Sequence, residues 1–259
     1  MNIGVYLKCV PDTEENIIIS NKVNDIVKND IKFIINPFDE YAIEEALKFT
    51  DTFPETNITI ITIGGEYSIE CLRKALAMGA TSAVLIYRED YSIYDSTADS
   101  GEIIKRVIQQ NNIDYLLMGK ESIDDQKNYL STVTGVFLDW PYINNVINIE
   151  YQDKVIKATR VLSNKQKEIL TVKIPCILSV IKGINQPRYP TVMSIMKAAN
   201  KTIKKVVYQD FLEKSKDDIY IKKLHYYSKK RSNIIIKEEN VQLATDKFIN
   251  YLRKEIKII

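Results

Sequence analysis

Short apolar runs alternate with longer segments of helical spacing along the first 138 residues of this chain. We predict buried strands at residues 2–9, 57–63, 82–87 and 114–118, because each is a short apolar run bounded by turn residues. We predict helices at about residues 40–50, 67–78, 97–111 and 126–138, where apolar positions recur every three or four residues. Strands that alternate with helices of this length are typical of a parallel sheet with helices on both faces. The pattern therefore predicts an α/β fold with a doubly wound, mostly parallel sheet.

The pattern changes after Pro141. Four short alternating runs, at residues 143–149, 154–161, 167–173 and 176–182, predict added strands that are mostly antiparallel. Residues 183–205 are irregular and basic, and residues 206–236 are charged and weakly patterned, as in an extended arm. Residues 240–257 carry apolar positions on one side and predict a final amphipathic helix. We therefore expect an α/β domain at residues 1–205, followed by a C-terminal arm and helix at residues 206–259.

The charge balance argues against several classes of protein. The chain has 36 basic and 34 acidic residues, a formal net charge of +2, whereas nucleic-acid-binding proteins usually carry a basic excess on one face. No window approaches the roughly 18 apolar residues of a membrane span. The first strand begins at the amino terminus without a recognisable secretion signal. We therefore expect a cytoplasmic protein that neither binds nucleic acid nor lies within a membrane.

The cysteines and the single histidine offer little material for metal or nucleophilic chemistry. Cys9, Cys71 and Cys176 are far apart and form no CxxC pair, so a disulfide framework and a structural zinc site are not expected. His225 is the only histidine, and we interpret it as a structural or surface residue. We expect neither a metal site nor catalytic residues.

Ligands of an open parallel sheet bind beyond the carboxyl ends of its strands. Four segments fall at such ends, at residues 8–12, 36–39, 63–67 and 119–125. The loop from Gly119 to Gln126 runs from a strand towards a predicted helix, where N–H groups can face a phosphate. The chain has neither a GxGxxG nor a GxxxxGK[ST] motif. A nucleotide site and ordinary loops of a doubly wound fold therefore both remain open from spacing alone.

Three other features each allow a functional and a structural interpretation. Asp124 and Asp125 form a carboxylate pair for metal or acid–base work, or they cap a helix start. Trp140 stacks on a flavin, or it packs in the core or against a subunit. Residues 183–190 form a protein-docking loop, since an apolar residue beside Arg and Tyr is typical of interface hot spots, or they form a surface turn.

Several segments together resemble the electron transfer flavoprotein beta family, in the same order and with the same spacing. The matching stretches are KCVPDT (8–13), INPFD (35–39) with AIEEAL (42–47), ALAMGA (75–80), GK (119–120) with IDD (123–125), FLDWP (137–141), KIPC (173–176), and NQPRY (185–189) with IMKA (195–198). The resemblance covers residues 1–205 well and the C-terminal arm and helix loosely.

The resemblance implies an adenine-nucleotide-binding type of α/β fold and a heterodimer. In this family the alpha subunit holds FAD, which shuttles electrons one at a time, and most beta subunits bury a structural AMP. Donor dehydrogenases such as acyl-CoA dehydrogenases supply the electrons, and a membrane quinone oxidoreductase accepts them. In flavin-bifurcating members the beta subunit holds its own FAD, which oxidises NADH. We favour the AMP type, an electron-transfer subunit without bond chemistry of its own.

The resemblance also implies which residues of this chain contact the nucleotide. They are Tyr6, Asn36, Pro37, Phe38, Asp39, Ile63, Gly64, Gly119, Lys120, Glu121, Ser122, Ile123, Asp124, Asp125 and Gln126, in a segment that continues to Leu130. The docking loop that grips the dehydrogenase falls near residues 172–194. Its apolar anchor position is Ile184, and Asn185, Pro187, Arg188 and Tyr189 lie beside it.

The sequence departs from the family pattern near the predicted site. Tyr129-Leu130-Ser131 stand where members usually carry Gln, a small or hydroxyl residue, and Gly, and Lys127 stands where a small neutral residue is common. Gly64-Gly65 replaces a frequent Gly-Pro. These departures leave the identity of the nucleotide open. Two other classes also remain open, a nucleotide-hydrolysing or ligase enzyme of related α/β fold and a nucleotide sensor, which would form a homodimer.

Overall fold

The computed structural model describes residues 1–20, 25–28, 31–89, 96–152, 154–211, 223–226 and 234–256. The first half contains β1 (Asn2–Tyr6), β2 (Cys9–Pro11), β3 (Phe33–Ile35), α1 (Pro37–Thr52), β4 (Asn57–Gly64), α2 (Ser68–Met78), β5 (Ser82–Tyr87), α3 (Thr97–Gln110), β6 (Tyr115–Gly119) and α4 (Leu130–Leu138). The second half contains β7 (Tyr142–Gln152), β8 (Val155–Val161), β9 (Lys167–Lys173), β10 (Cys176–Val180), α5 (Val192–Ala199), β11 (Ile203–Val207) and α6 (Val241–Tyr251).

Nine of the described strands form one sheet, in the order β11-β5-β4-β1-β6-β10-β7-β8-β9. Neighbouring strands are parallel from β11 to β7, and β8 is antiparallel to both β7 and β9. Strands β2 and β3 form a separate antiparallel pair. The predicted α/β fold, a doubly wound mostly parallel sheet with added antiparallel strands, is confirmed.

Two apolar cores lie on opposite faces of the sheet. Side chains alternate between the faces of a strand, so Ile3 and Val5 of β1 join the core under α1 and α2, whereas Tyr6 joins the core under α3. Buried residues on both faces explain why the central strands are continuous apolar runs. The two cores fix the positions of the helix starts at the carboxyl edge of the sheet.

The structure differs from the sequence-based prediction in two regions. Helix α4 begins at Leu130, four residues later than predicted, because residues 120–129 form an irregular loop. The segment 183–205 is not irregular throughout, since it contains α5 and most of β11, which pairs with β5. The predicted domain division after residue 205 therefore falls inside a strand.

The chain separates into two units, Met1–Leu224 and His225–Ile259. In the second unit, the Asn240 side chain caps α6 by accepting hydrogen bonds from the N–H groups of Gln242 and Leu243. The predicted final helix is thus confirmed, and its apolar residues Val241, Leu243 and Phe248 are exposed. His225 is also exposed. Most of the predicted arm, residues 212–222 and 227–233, lies outside the described residues.

None of the described helices is long and apolar enough to cross a bilayer.

Candidate functional site

A cleft that is partly open to solvent lies at the carboxyl ends of β1 and β6. The chain passes from β1 outwards to β4 and β5, and then returns to the other side of β1 with β6. Such a reversal is the point where open α/β sheets bind ligands. The lining residues come from the ends of β1 and β6, the starts of α1, α3 and α4, and the loops between them: Tyr6, Lys8, Asn36, Asp39, Thr97, Ser100, Met118, Gly119, Lys120, Glu121, Ser122, Asp125, Lys127, Asn128, Leu130 and Ser131.

Asp39, in the first turn of α1, joins the ends of the two central strands. Its Oδ2 accepts from the N–H of Lys8 at 2.7 Å, and its Oδ1 accepts from the N–H of Gly119 at 2.9 Å. Burial raises the pKa of Asp39 to about 7, against the lowering effect of these donors. A Cβ at position 119 would lie 2.8 Å from the backbone carbon of Phe38, so glycine permits the close approach. Asp39 therefore holds the floor of the cleft together.

Asn36, just before α1, holds the wall of the cleft. Its Nδ2 donates to the Glu121 carbonyl at 2.9 Å, and its Oδ1 accepts from the N–H of Ile123 at 3.2 Å. The side chain is almost completely buried, and both of its polar atoms are used within the protein. Asn36 therefore positions the loop after β6.

Lys8 is a buried cation between two buried carboxylates. Its Nζ lies 2.9 Å from Asp124 Oδ1, 3.0 Å from Asp125 Oδ2 and 3.3 Å from Ser122 Oγ. The side chain of Lys8 is 11% exposed, and those of the two aspartates are each 5% exposed. Burial alone would raise the pKa of Asp125, but Lys8, Ser122 and the N–H of Lys127 outweigh it and hold the pKa below its usual range. The predicted carboxylate pair thus fastens the loop to β1.

Most backbone N–H groups in the predicted phosphate loop are already hydrogen-bonded. Those of Gly119, Lys120, Ile123, Asp125 and Gln126 donate to Asp39 Oδ1, Val180 O, Asn36 Oδ1, Asp124 Oδ1 and Ser122 O, respectively. In contrast, α4 starts at the cleft without a side-chain cap, and its first residues Leu130 and Ser131 line the cleft. The N-terminus of α4 is therefore better placed for an anion than residues 119–126 are.

The structure brings together about half of the nucleotide contacts that the sequence predicted. Eight of them line the cleft: Tyr6, Asn36, Asp39, Gly119, Lys120, Glu121, Ser122 and Asp125. Seven do not: Pro37, Phe38, Ile63, Gly64, Ile123, Asp124 and Gln126. In the continuation to Leu130, the residues Lys127, Asn128 and Leu130 line it.

Sequence reasoning missed four lining residues, Thr97, Ser100, Met118 and Ser131, and included Lys8 only as part of the strand-end segment at residues 8–12. Thr97 and Ser100 lie at the start of the helix that follows β5, so the rule that ligands bind at strand ends would have found them. Lys8 lies two residues after the end of β1, within a segment that this rule predicted. Its pairing with Asp124, 116 residues away, has no sequence signal.

The predicted docking segment lies along α1. Ile184, the predicted anchor position, is half-buried and packs against the main core. Asn185 and Arg188 bind side chains of α1. The exposed apolar residues come later, at Tyr189 and along α5, where Val192, Met193, Ile195 and Met196 are all at least half exposed.

Among the described residues, no three His, Cys, Asp or Glu side chains come together as a metal site. Trp140 is half-buried and packs against the core under α3.

The chain is similar to known proteins over most of its length. The family model for the electron transfer flavoprotein domain matches residues 23–210. The electron transfer flavoprotein subunit beta of Bacillus subtilis is 31% identical over the whole of both chains. The subunit of the same name from Thermoanaerobacterium thermosaccharolyticum is 32% identical over 86% of this chain and 84% of its own. The caffeyl-CoA reductase-Etf complex subunit CarD of Acetobacterium woodii is 32% identical over 78% of this chain and 77% of its own.

Proposed function

This chain belongs to the electron transfer flavoprotein beta family, and we propose that it is the beta subunit of a heterodimer that relays electrons. In this proposal the cleft at β1 and β6 binds AMP as a structural nucleotide. An alpha subunit supplies FAD, whose chemistry is one-electron transfer. The heterodimer takes electrons from donor dehydrogenases, such as acyl-CoA dehydrogenases, and passes them to a membrane quinone oxidoreductase.

The observation that carries the nucleotide proposal is the uncapped start of α4 at the cleft. A helix N-terminus carries roughly half a positive charge and free N–H donors, which favour a phosphate. Lys120 and Lys127 line the same cleft, where they lie 3.5 Å from Glu121 and 3.6 Å from Asp125, respectively. Thr97 and Ser131 add hydroxyl groups to the lining, whereas the Ser100 hydroxyl already donates to the Ser96 carbonyl at 2.9 Å. These residues fit a nucleoside monophosphate.

The state of the carboxylates in the cleft supports a binding role rather than a catalytic one. Asp39 accepts two backbone N–H groups, and Asp125 is paired with Lys8 and Ser122. A general base needs a carboxylate that is available to a substrate proton. These carboxylates instead hold strand ends and a loop in place, so the cleft fits a nucleotide that stays intact.

A second candidate, which the family resemblance also implies, is a flavin-bifurcating beta subunit that holds its own FAD; the relative CarD is named as a subunit of a caffeyl-CoA reductase-Etf complex. FAD is much larger than AMP and carries a diphosphate. The uncapped start of α4 at the cleft accounts for one phosphate, so we favour AMP.

The nucleotide content of the purified heterodimer tests the proposal. The chain is co-expressed with its alpha subunit, the complex is isolated by gel filtration, and acid-released nucleotides are separated by chromatography. We expect a yellow complex that releases AMP and FAD in equal amounts. Twice as much FAD and no AMP would favour the bifurcating candidate. A colourless homodimer would overturn both candidates and favour a nucleotide sensor.

The exposed apolar surfaces support the proposed partners. We place the donor dehydrogenase on the surface formed by Tyr189 and α5, which we call the α5 surface, because Tyr189 is 90% exposed and Val192 is 75% exposed. Exposed apolar clusters of this kind mark protein interaction sites. We place the alpha subunit on α6, whose apolar residues are likewise exposed.

A further inference from the structure

Helix α1 holds the segment that leads into the α5 surface, through ion pairs from Arg188 to Glu44 and, at 3.2 Å, to Asp51. The guanidinium of Arg188 grips Glu44 with two hydrogen bonds, Nε to Oε2 at 3.0 Å and Nη2 to Oε1 at 3.0 Å. The backbone N–H of Arg188 donates to the same carboxylate at 3.0 Å. The Glu44 side chain is buried, whereas the Arg188 side chain is 39% exposed. A two-pronged contact of this kind fixes orientation as well as distance.

A second pair of hydrogen bonds holds the same segment three residues earlier. Asn185 Nδ2 donates to the Tyr41 carbonyl and to Glu45 Oε2, both at 2.9 Å. Ile184 packs into the core beside it. Residues 184–188 are therefore fixed to α1 immediately before the exposed Tyr189.

The far end of α5 is held by helix α2. Arg73 donates to the carbonyl of Ala198 at 2.7 Å and to the carbonyl of Lys201, and Ala198 is buried. Both ends of the α5 surface are thus tied to the two helices that cover the main core. The exposed apolar side chains of the α5 surface therefore lie on a segment that is hydrogen-bonded to the rest of the domain at both ends.

We infer that Glu44 is a positioning residue, which with Arg188 orients the α5 surface for a donor dehydrogenase. This inference rests on the proposed function. An ion pair whose guanidinium is partly exposed to solvent contributes little net stability, so its benefit lies in fixing one arrangement. A surface that is ordered before binding avoids the entropy loss that a loose segment suffers on binding.

The test is the steady-state reduction of the heterodimer by an acyl-CoA dehydrogenase that is supplied with its acyl-CoA substrate. Glu44→Gln keeps the shape of the side chain and removes its charge. We expect the KM for the heterodimer to rise roughly tenfold, from the ordering that the partner must now impose, with kcat and the flavin spectrum unchanged. Arg188→Lys keeps the positive charge and loses the bidentate contact, so its KM should lie between those of the wild type and Glu44→Gln.

The matched control is Arg160→Gln, which breaks an Arg–Glu pair of 2.6 Å between β8 and β9. Its KM should equal that of the wild type. A direct-contact variant, Val192→Ser, separates the two proposals. If Val192→Ser raises KM and Glu44→Gln does not, the α5 surface docks the donor but Glu44 does not position it. If neither variant raises KM, the donor binds elsewhere, and the inference fails together with the proposed docking site.

Amide hydrogen exchange gives a second measurement that needs no donor. In the Glu44→Gln heterodimer, amides of residues 185–196 should exchange faster, while those of β1 and β6 stay protected. Unchanged exchange in residues 185–196 would overturn the inference. Faster exchange across the whole sheet would assign Glu44 to general stability and would also overturn it.

Discussion

Lys8→Met is expected to destabilise the fold strongly, because it removes the cation that two buried aspartates share and leaves Asp125 with only the more distant ammonium of Lys127, 3.6 Å away. Met keeps the apolar stem and removes the ammonium group that lies 2.9 Å from Asp124 and 3.0 Å from Asp125. Removing one partner of a buried ion pair typically costs about 3–5 kcal/mol. Ser122 Oγ and the N–H groups of Asp125 and Lys127 still donate to the two carboxylates. We therefore expect a cost of about 3 kcal/mol, at the lower end of this range. For a unit of this size, that lowers Tm by roughly 6–12 °C.

The pH dependence of this cost identifies its cause. In the wild type the pKa of Asp125 is held below its usual range, so its contribution to stability is present above about pH 4 and is lost as pH falls. Without Lys8, burial raises the pKa of Asp125, and protonation of Asp125 then removes the cost of an unpaired buried charge in the variant. The difference in unfolding free energy between wild type and variant should therefore be largest near pH 7. It should shrink below about pH 4.

Urea unfolding followed by circular dichroism, at a series of pH values, measures this difference. Lys32→Met is the control, because Lys32 is a surface lysine 3.1 Å from Asp12, and its Tm should stay close to that of the wild type. A Lys8→Met variant as stable as the wild type would refute the argument. A stability gap that stays constant from neutral to acidic pH would show that lost packing, and not the ion pair, sets the cost.

Three further variants test the cleft and the docking segment. Asp39→Asn turns an amide donor towards one of two backbone N–H groups and should lower the free energy of unfolding by about 1–3 kcal/mol. Because the pKa of Asp39 is raised to about 7 in the folded protein, the stability of the wild type falls as pH rises from about 4 to 7. Denaturation curves should therefore show that the difference in unfolding free energy between wild type and variant becomes smaller over that range. Lys127→Gln should lower the AMP recovered per heterodimer, whereas Lys32→Gln should not; equal recovery from both would remove Lys127 from the site. Ile184→Ala should lower the free energy of unfolding by about 1–2 kcal/mol, because Ile184 is half-buried and the same change at a fully buried site costs about 2–5 kcal/mol. An unchanged Tm together with slower electron transfer from the donor would instead indicate that Ile184 is the docking anchor.

The sequence alone determines the architecture of the sheet. Continuous apolar runs separated by helical segments leave few arrangements other than a parallel sheet covered on both faces. The same pattern places the loops after β1 and β6 at the carboxyl edge, and the cleft lies there. We did not predict the edge strand β11, because it is basic and mostly exposed and so does not form the apolar run that indicates a buried strand.

The roles of the polar residues depend on tertiary structure. Asp39 lies 80 residues from Gly119, and Lys8 lies 116 residues from Asp124. No local pattern links residues so far apart, because hydrogen-bond partners across a sheet are set by strand order and register. The start of α4 at Leu130 has the same origin, since Asn36 and Lys8 hold the preceding loop away from helical geometry. Sequence therefore located the cleft, and only the packed structure decided which residues brace it and which face the ligand.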